Sequence, residues 1–233
     1  SSFLRLRLRL TMPSLRPGDV VVPSCQTAPR TGAFPSNSER MVDMPQHTAV
    51  ATLHTNYGDI VVNLFGDHAP QTVQNFIGLA DGTKAWTNPA TGKAGEGPLY
   101  KDVVFHRIIS GFMIQGGDPL GVGTGGPGYN FNDEINGELT FTAPYKLAMA
   151  NAGLRRNGIT GKAEGTNGSQ FFITVPGQGG RGPEWLQGKH TIFGEVTDDA
   201  SKAIVDTIAE LPTAAGDRPI EPVVIQSIDI DAV

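Results

Sequence analysis

Residues 103–118 read VVFHRIISGFMIQGGD, two short apolar runs that meet at Ser110-Gly111. Arg107 sits in the first run and Gln115 in the second. Ahead of its terminal Asp118 the stretch holds no acid, and it has no thiol and no group of metal ligands. A guanidinium stays charged at any working pH and offers five N–H donors in a fixed fork, while an amide both donates and accepts. Such a pair can grip a polar group, but it supplies neither a nucleophile nor a general base. What chemistry can use it on an apolar hairpin is the question the stretch raises.

Other motifs carry less. GVGTGG (121–126) and GTGGPG (123–128) both fit G-x-G-x-x-G, but Pro127 and Gly128 follow where a dinucleotide loop needs a helix. Asn167-Gly168-Ser169 fits a glycosylation sequon, a common chance match. The five histidines, His47, His54, His68, His106 and His190, lack the spacing of a metal pair, so neither a metal nor another cofactor is expected. No G-x-S-x-G elbow is present, and the one cysteine, Cys25, cannot form an internal disulfide. For His106 the expectation is a buried, hydrogen-bonded structural role.

These residues need elements to hold them. Val50–Thr55 and Ile60–Phe65 are rich in β-branched residues and flank Asn56-Tyr57-Gly58, which predicts two strands and a turn. Further short strands are expected at 103–109, 112–116, 145–151, 170–175 and 191–196, with a last one in PVVIQSIDI. Val73, Phe76, Ile77 and Ala80 fall on one helical face behind Pro70, a residue suited to a first turn. Ile204, Val205, Ile208 and Leu211 do the same ahead of Pro212. Many short strands with only two helices predict a mainly β fold: a closed antiparallel barrel whose open ends are capped by the two α-helices.

Composition sets the bounds. Hydrophobic residues make up 39% of the 233 and charged residues 18%, as in a globular chain. No run of ~18 apolar residues occurs, so no membrane partner is expected. Residues 1–44 hold six arginines against Asp19, Glu39 and Asp43, while residues 45–233 hold 12 Lys+Arg against 20 Asp+Glu, a net of −8. An acidic body gives no reason to expect nucleic acid. The Arg/Leu-alternating opening invites a targeting reading, but Arg16 and Asp19 interrupt any apolar core of a signal. We therefore expect residues 1–46 to be a disordered N-terminal extension, with translation starting at Met41 or Met44 as an alternative. Residues 47–233 form the expected domain, cytoplasmic and monomeric.

Four segments, FHRIISGFMIQGGD (105–118), LAMANAG (147–153), TNGSQFFI (166–173) and PEWLQGKHTIFG (183–194), together resemble the cyclophilins, a family of peptidyl-prolyl cis–trans isomerases. The resemblance spans roughly residues 48–231. It implies a closed eight-stranded antiparallel barrel capped by two α-helices, in agreement with the barrel expected above, with a substrate groove on its outer face. Carried over by position, it implies that Arg107 is catalytic. Phe112, Met113, Phe172 and Leu186 would line a pocket for the substrate proline ring, with His190 at its edge. Gln115 and Asn151 would hold the substrate backbone. Gly123, Ala150, Ala152, Gln170 and Trp185 would complete the groove. Proline-containing peptides and unfolded proteins are the implied partners, and the family's association of the Trp185 position with cyclosporin implies sensitivity to it. A noncatalytic proline-peptide-binding or chaperone module using the same groove is the rival reading.

The reaction explains the missing nucleophile. An X–Pro bond rotates over a barrier of ~18–20 kcal/mol because partial double-bond character must be lost. In the twisted state the proline nitrogen regains a lone pair, to which a guanidinium can donate. For Arg107 and Gln115 to face one groove, the loop between them must hold three residues or a bulge, so that 107 pairs with 115 and not 114. Two loops, 154–165 and 175–183, look longer than in common family members. The first brings Arg155, Arg156 and Lys162, either as a tolerated surface insertion or as a source of preference for acidic residues near the proline.

Overall fold

Every second residue of the first strand is small or apolar, and those residues turn inward. A computed structural model describes residues 47–233, and the extension expected over 1–46 lies outside the described residues. In β1 (Ala49–Thr55), Ala49, Ala51, Leu53 and Thr55 are buried while the residues between them are half-exposed. β2 (Gly58–Leu64) repeats the pattern and pairs with β1 through a regular antiparallel ladder.

Helix α1 (Pro70–Asp81) follows, with Pro70 in its first turn and Gly82 closing it at φ 78°. Its N-terminus has no local side-chain cap. Glu134 supplies one from 62 residues away, accepting from the Gln71 and Thr72 backbone N–H groups at 3.0 and 2.7 Å. The later strands are β3 (Val103–Val104), β4 (Arg107–Ile109), β5 (Met113–Gly116), β6 (Lys146–Met149), β7 (Arg155–Arg156), β8 (Ala163–Glu164), β9 (Phe171–Thr174) and β10 (Ile192–Glu195). Helix α2 (Asp199–Ala209) is capped by Asp198, which accepts from the Ser201 N–H at 2.8 Å. Then come β11 (Thr213–Ala214), β12 (Arg218–Pro219) and β13 (Val224–Ala232). No helix among the described residues is long and apolar enough to cross a membrane.

Nine strands form one curled antiparallel sheet in the order β3-β13-β1-β2-β10-β6-β9-β5-β4. The fold is mainly β with two helices, as expected. The expected strand 103–109 is broken, however, at Phe105-His106. Its halves, β3 and β4, form the two edges of the sheet, so the chain itself joins those edges. Counted as one strand they give eight.

The break has a consequence for side-chain direction. In an unbroken strand Phe105 and Arg107 would face the same way. Phe105 is buried in the inner core, and so is Ile108, two faces that regular alternation would oppose. The interruption turns Arg107 outward, where it is exposed. Without it the guanidinium would be driven among the rings of the core, at a severe desolvation cost.

The central strands bury both faces, which is why β9 shows no polar alternation. Ile114, Leu147, Met149, Phe171, Ile173 and Phe193 belong to the inner core with both helices. Met113, Ala148, Phe172 and Ile192, their alternates, join Phe65, Leu139, Phe141 and Leu186 in a second apolar cluster on the outer face. Two packed faces fix the strand register, since a one-residue slip would exchange them.

Candidate active site

The hairpin β4–β5 turns through three residues, Ser110-Gly111-Phe112. The Phe112 N–H donates to the Ile109 carbonyl at 3.1 Å, and Gly111 sits at φ 70°, as position i+2 of a type II turn requires. The register is Arg107 with Gln115, Ile108 with Ile114 and Ile109 with Met113. Arg107 and Gln115 therefore share the outer face, as the loop-length argument demanded. The turn is also pinned, because the Ser110 hydroxyl donates to Glu210 at the end of α2 at 2.6 Å.

Arg107, Phe112, Met113, Gln115, Ala150, Asn151, Phe172, Leu186 and His190 enclose a pocket of about 220 Å³ on that face. Its floor is the outer apolar cluster. Gly123, Ala152 and Gln170 line a neighbouring hollow of about 520 Å³, which shares Gln115, Ala150 and Asn151 with the pocket. Trp185 stands apart from both. It is 62% exposed, lies against the Phe112 ring at 5.5 Å between centroids, and borders a third hollow beside Gly111.

Arg107 is held from one side. Its Nε donates to the Asp217 carboxylate at 3.3 Å, and neither Nη has a partner among the described residues. Asp217 lies in the β11–β12 turn at φ 60°, and its carbonyl accepts from the Ile108 N–H at 2.7 Å. One residue thus fixes both the β4 backbone and the guanidinium. Linear spacing offered no signal for it, since it lies 110 positions from Arg107.

Gln115 donates through Nε2 to Gln170 at 3.0 Å, and Gln170 donates on to the Gly125 carbonyl at 2.9 Å. That relay leaves the Gln115 carbonyl oxygen without a partner among the described residues. The side chain of Asn151 does not share this role. Its amide donates to Asp133, Asn167 and the Lys189 carbonyl, at 3.0 to 3.3 Å. What Asn151 leaves open is its main chain, whose N–H and C=O have no partner among the described residues. Strand-like backbone at a groove edge offers the same donor and acceptor that a neighbouring strand would use.

The two histidines differ. A carbonyl can only accept, so the 2.9 Å contact of His190 Nδ1 with the Met149 carbonyl places the proton on Nδ1. The ring meets Phe172 edge to face at 5.3 Å and forms a pocket wall. His106 was expected to be hydrogen-bonded. It is buried, yet neither ring nitrogen has a partner among the described residues. It sits at the strand break, and the acid nearest to serving it is otherwise engaged. Asp118 is fully buried and accepts from the N–H groups of Leu120, Val122, Gly123 and Gly125 at 2.6 to 3.1 Å. Burial lowers the His106 pKa, Asp118 opposes that shift, and the charges of Arg218 and Arg107 add to it. Burial alone would raise the pKa of Asp118, but its four N–H donors outweigh burial and hold it below the usual carboxylate value. The G-x-G-x-x-G segment is therefore a loop wound around an anion of the protein's own. An acid three residues ahead of a glycine-rich run was the available signal for it.

The chain matches the model of the cyclophilin type peptidyl-prolyl cis–trans isomerase family over residues 50–230. It is 56% identical over 182 residues to peptidyl-prolyl cis–trans isomerase B of Streptomyces anulatus, covering 78% of this chain and 95% of that one. It is 57% identical over 182 residues to the probable isomerase A of Mycobacterium leprae, covering 78% and 92%. A crystal structure of a Cryptosporidium parvum cyclophilin-type isomerase superposes with a TM-score of 0.62 at 34% identity, covering 81% of this chain and 99% of that one. A second crystal structure of that protein, in the presence of the dipeptide Ala-Pro, gives a TM-score of 0.61. With the family pattern spanning the whole curled sheet and its outer pocket, this chain belongs to the cyclophilin-type peptidyl-prolyl cis–trans isomerases.

Proposed function

We propose that this isomerase seats the substrate proline ring in the outer pocket and twists the X–Pro amide beneath Arg107. The reading rests on one observation above the others: a guanidinium whose two Nη groups have no partner among the described residues borders a pocket with an apolar floor, sized for a small ring. Met113, Phe172 and Leu186 hold the ring from below while Phe112 closes one side. The acyl side then rotates. As the proline nitrogen pyramidalises, it gains a lone pair that an Arg107 N–H meets. That hydrogen bond is unavailable in the planar amide, so it lowers the barrier without tightening the ground state. Asp217 holds the fork by its Nε edge and so aims the Nη edge at the pocket. The free Gln115 carbonyl oxygen and the Asn151 main chain keep the flanking peptide from turning with the ring.

The magnitudes are consistent. A thousandfold acceleration requires about 4 kcal/mol at ~1.4 kcal/mol per tenfold. One preorganised charged donor supplies about 3–4 kcal/mol, and anchoring supplies the rest. The groove is open and offers unpaired backbone, which suits extended X–Pro segments in peptides and unfolded chains. The dipeptide used with the Cryptosporidium parvum protein has this chemistry. Peptide isomerisation by Arg107→Ala tests the reading. We expect kcat to fall about a hundredfold while peptide Kd stays within about threefold. Unchanged turnover would refute the role of the arginine.

A further inference from the structure

The hollow beside the proline pocket has one charged lining residue, Arg155, and that residue comes from the long loop 154–165. The loop is a built hairpin. β7 and β8 pair with Arg155 opposite Glu164 and Arg156 opposite Ala163. Asn157 organises its turn, accepting from the Ile159 and Thr160 N–H groups at 2.9 Å each. The base is tied to the groove rim, since the Thr166 hydroxyl accepts from the Ala152 N–H at 2.8 Å and donates to the Gly153 carbonyl at 2.7 Å. Arg155 is thus carried on a fixed support.

Its charge is also available. Arg155 makes no ion pair and no side-chain hydrogen bond among the described residues. Glu164, its cross-strand neighbour, instead accepts from the Asn157 amide at 2.8 Å. Arg156 differs, because its Nε is spent on the Gly161 carbonyl at 3.1 Å and it does not line the hollow. The hollow opens onto the proline pocket through Gln115, Ala150 and Asn151, so a side chain close to the substrate proline would enter it.

We infer that Arg155 makes this hollow a subsite for an anionic substrate side chain, a carboxylate on a residue flanking the isomerised proline. The inference rests on the groove reading above. It also runs against the field of the whole body, since residues 45–233 carry 12 Lys+Arg against 20 Asp+Glu. Long-range charge favours basic peptides, and only a local cation reverses that preference.

The test is a peptide series of one sequence carrying Glu, Gln or Lys at each of the two positions before and after the proline, assayed for kcat/KM in low salt. At one position the wild-type protein should favour Glu over Lys by about threefold or more, a preference that fades in high salt. In Arg155→Gln the Glu-to-Lys ratio at that position should fall to one or below. In Arg156→Gln it should persist. Equal rates for Glu and Lys at every position in the wild type would overturn the inference. So would an undiminished ratio in Arg155→Gln, or an equal loss in Arg156→Gln, which would mark a diffuse surface charge. Failure of the neutral Gln peptide to turn over would sink the groove reading itself.

Discussion

Phe171 meets the rings of Phe76, Tyr100 and Phe105 inside the curled sheet, at 5.6 to 6.2 Å between centroids. Phe172, the next residue, points the other way and stacks on Phe141 beside His190. The exposures of the pair are 0% and 5%, so burial alone does not tell them apart. What differs is what lies beyond. The inner face is closed by both helices, so its packing goes wholly into stability. The outer face is closed only in part, and its apolar surface next to Arg107 is left uncovered. One sheet thus serves as core on one side and, in the function proposed above, as binding floor on the other.

The sharpest break of this comparison is Phe171→Ala. It should cost about 3–5 kcal/mol in urea unfolding, because the ring leaves a cavity that rigid neighbours cannot fill. Turnover per folded molecule should change little. Arg107→Ala should do the reverse. Its ion pair is 44% and 46% exposed, so stability should shift by less than about 1 kcal/mol while kcat falls about a hundredfold. Phe112→Ala, at the half-exposed lip, should lower kcat/KM about tenfold through KM with little change in unfolding midpoint.

Asp217→Asn separates aiming from contact. Asparagine tolerates φ 60°, so the turn should persist. We expect kcat to drop about threefold to tenfold with peptide Kd unchanged, measured by single-turnover isomerisation. A matching loss of stability would make Asp217 merely structural. The smallest effect is one of pH. The His106 pKa is lowered in the fold, so the unfolded chain binds the proton more readily. Its contribution is fully present above pH ~6.5 and is lost as pH falls below that value, by at most about 1.4 kcal/mol per unit. His54 runs oppositely, since Asp59 and Asp229 raise its pKa and its contribution fades as pH rises. Unfolding of wild type and His106→Gln between pH 7.5 and pH 5 should converge toward the acid end. Parallel curves would remove His106 from the account.

The functional hairpin was legible because its information is local. A glycine that must adopt φ 70° and a required pairing of 107 with 115 are properties of adjacent residues. The helices were legible for the same reason, from Val73, Phe76 and Ala80 on one and Val205 and Ile208 on the other. The long loop 154–165 was read as an insertion, but its folding into β7–β8 was not, because its strands are only two residues each. Asp217, the Glu134 cap on α1 and the inward turn of the Asn151 amide were invisible, since each links residues brought together only by the sheet.

The sequence by itself determined the family, the two helices and most strands of the main sheet, because periodicity and turn composition are written along the chain. Only the tertiary structure decided which way their side chains face. The break at Phe105-His106 turns Arg107 out of the core, and Asp217, placed in a distant turn, holds its Nε. Direction of this kind depends on where strand edges meet, and that is set by packing of the whole sheet.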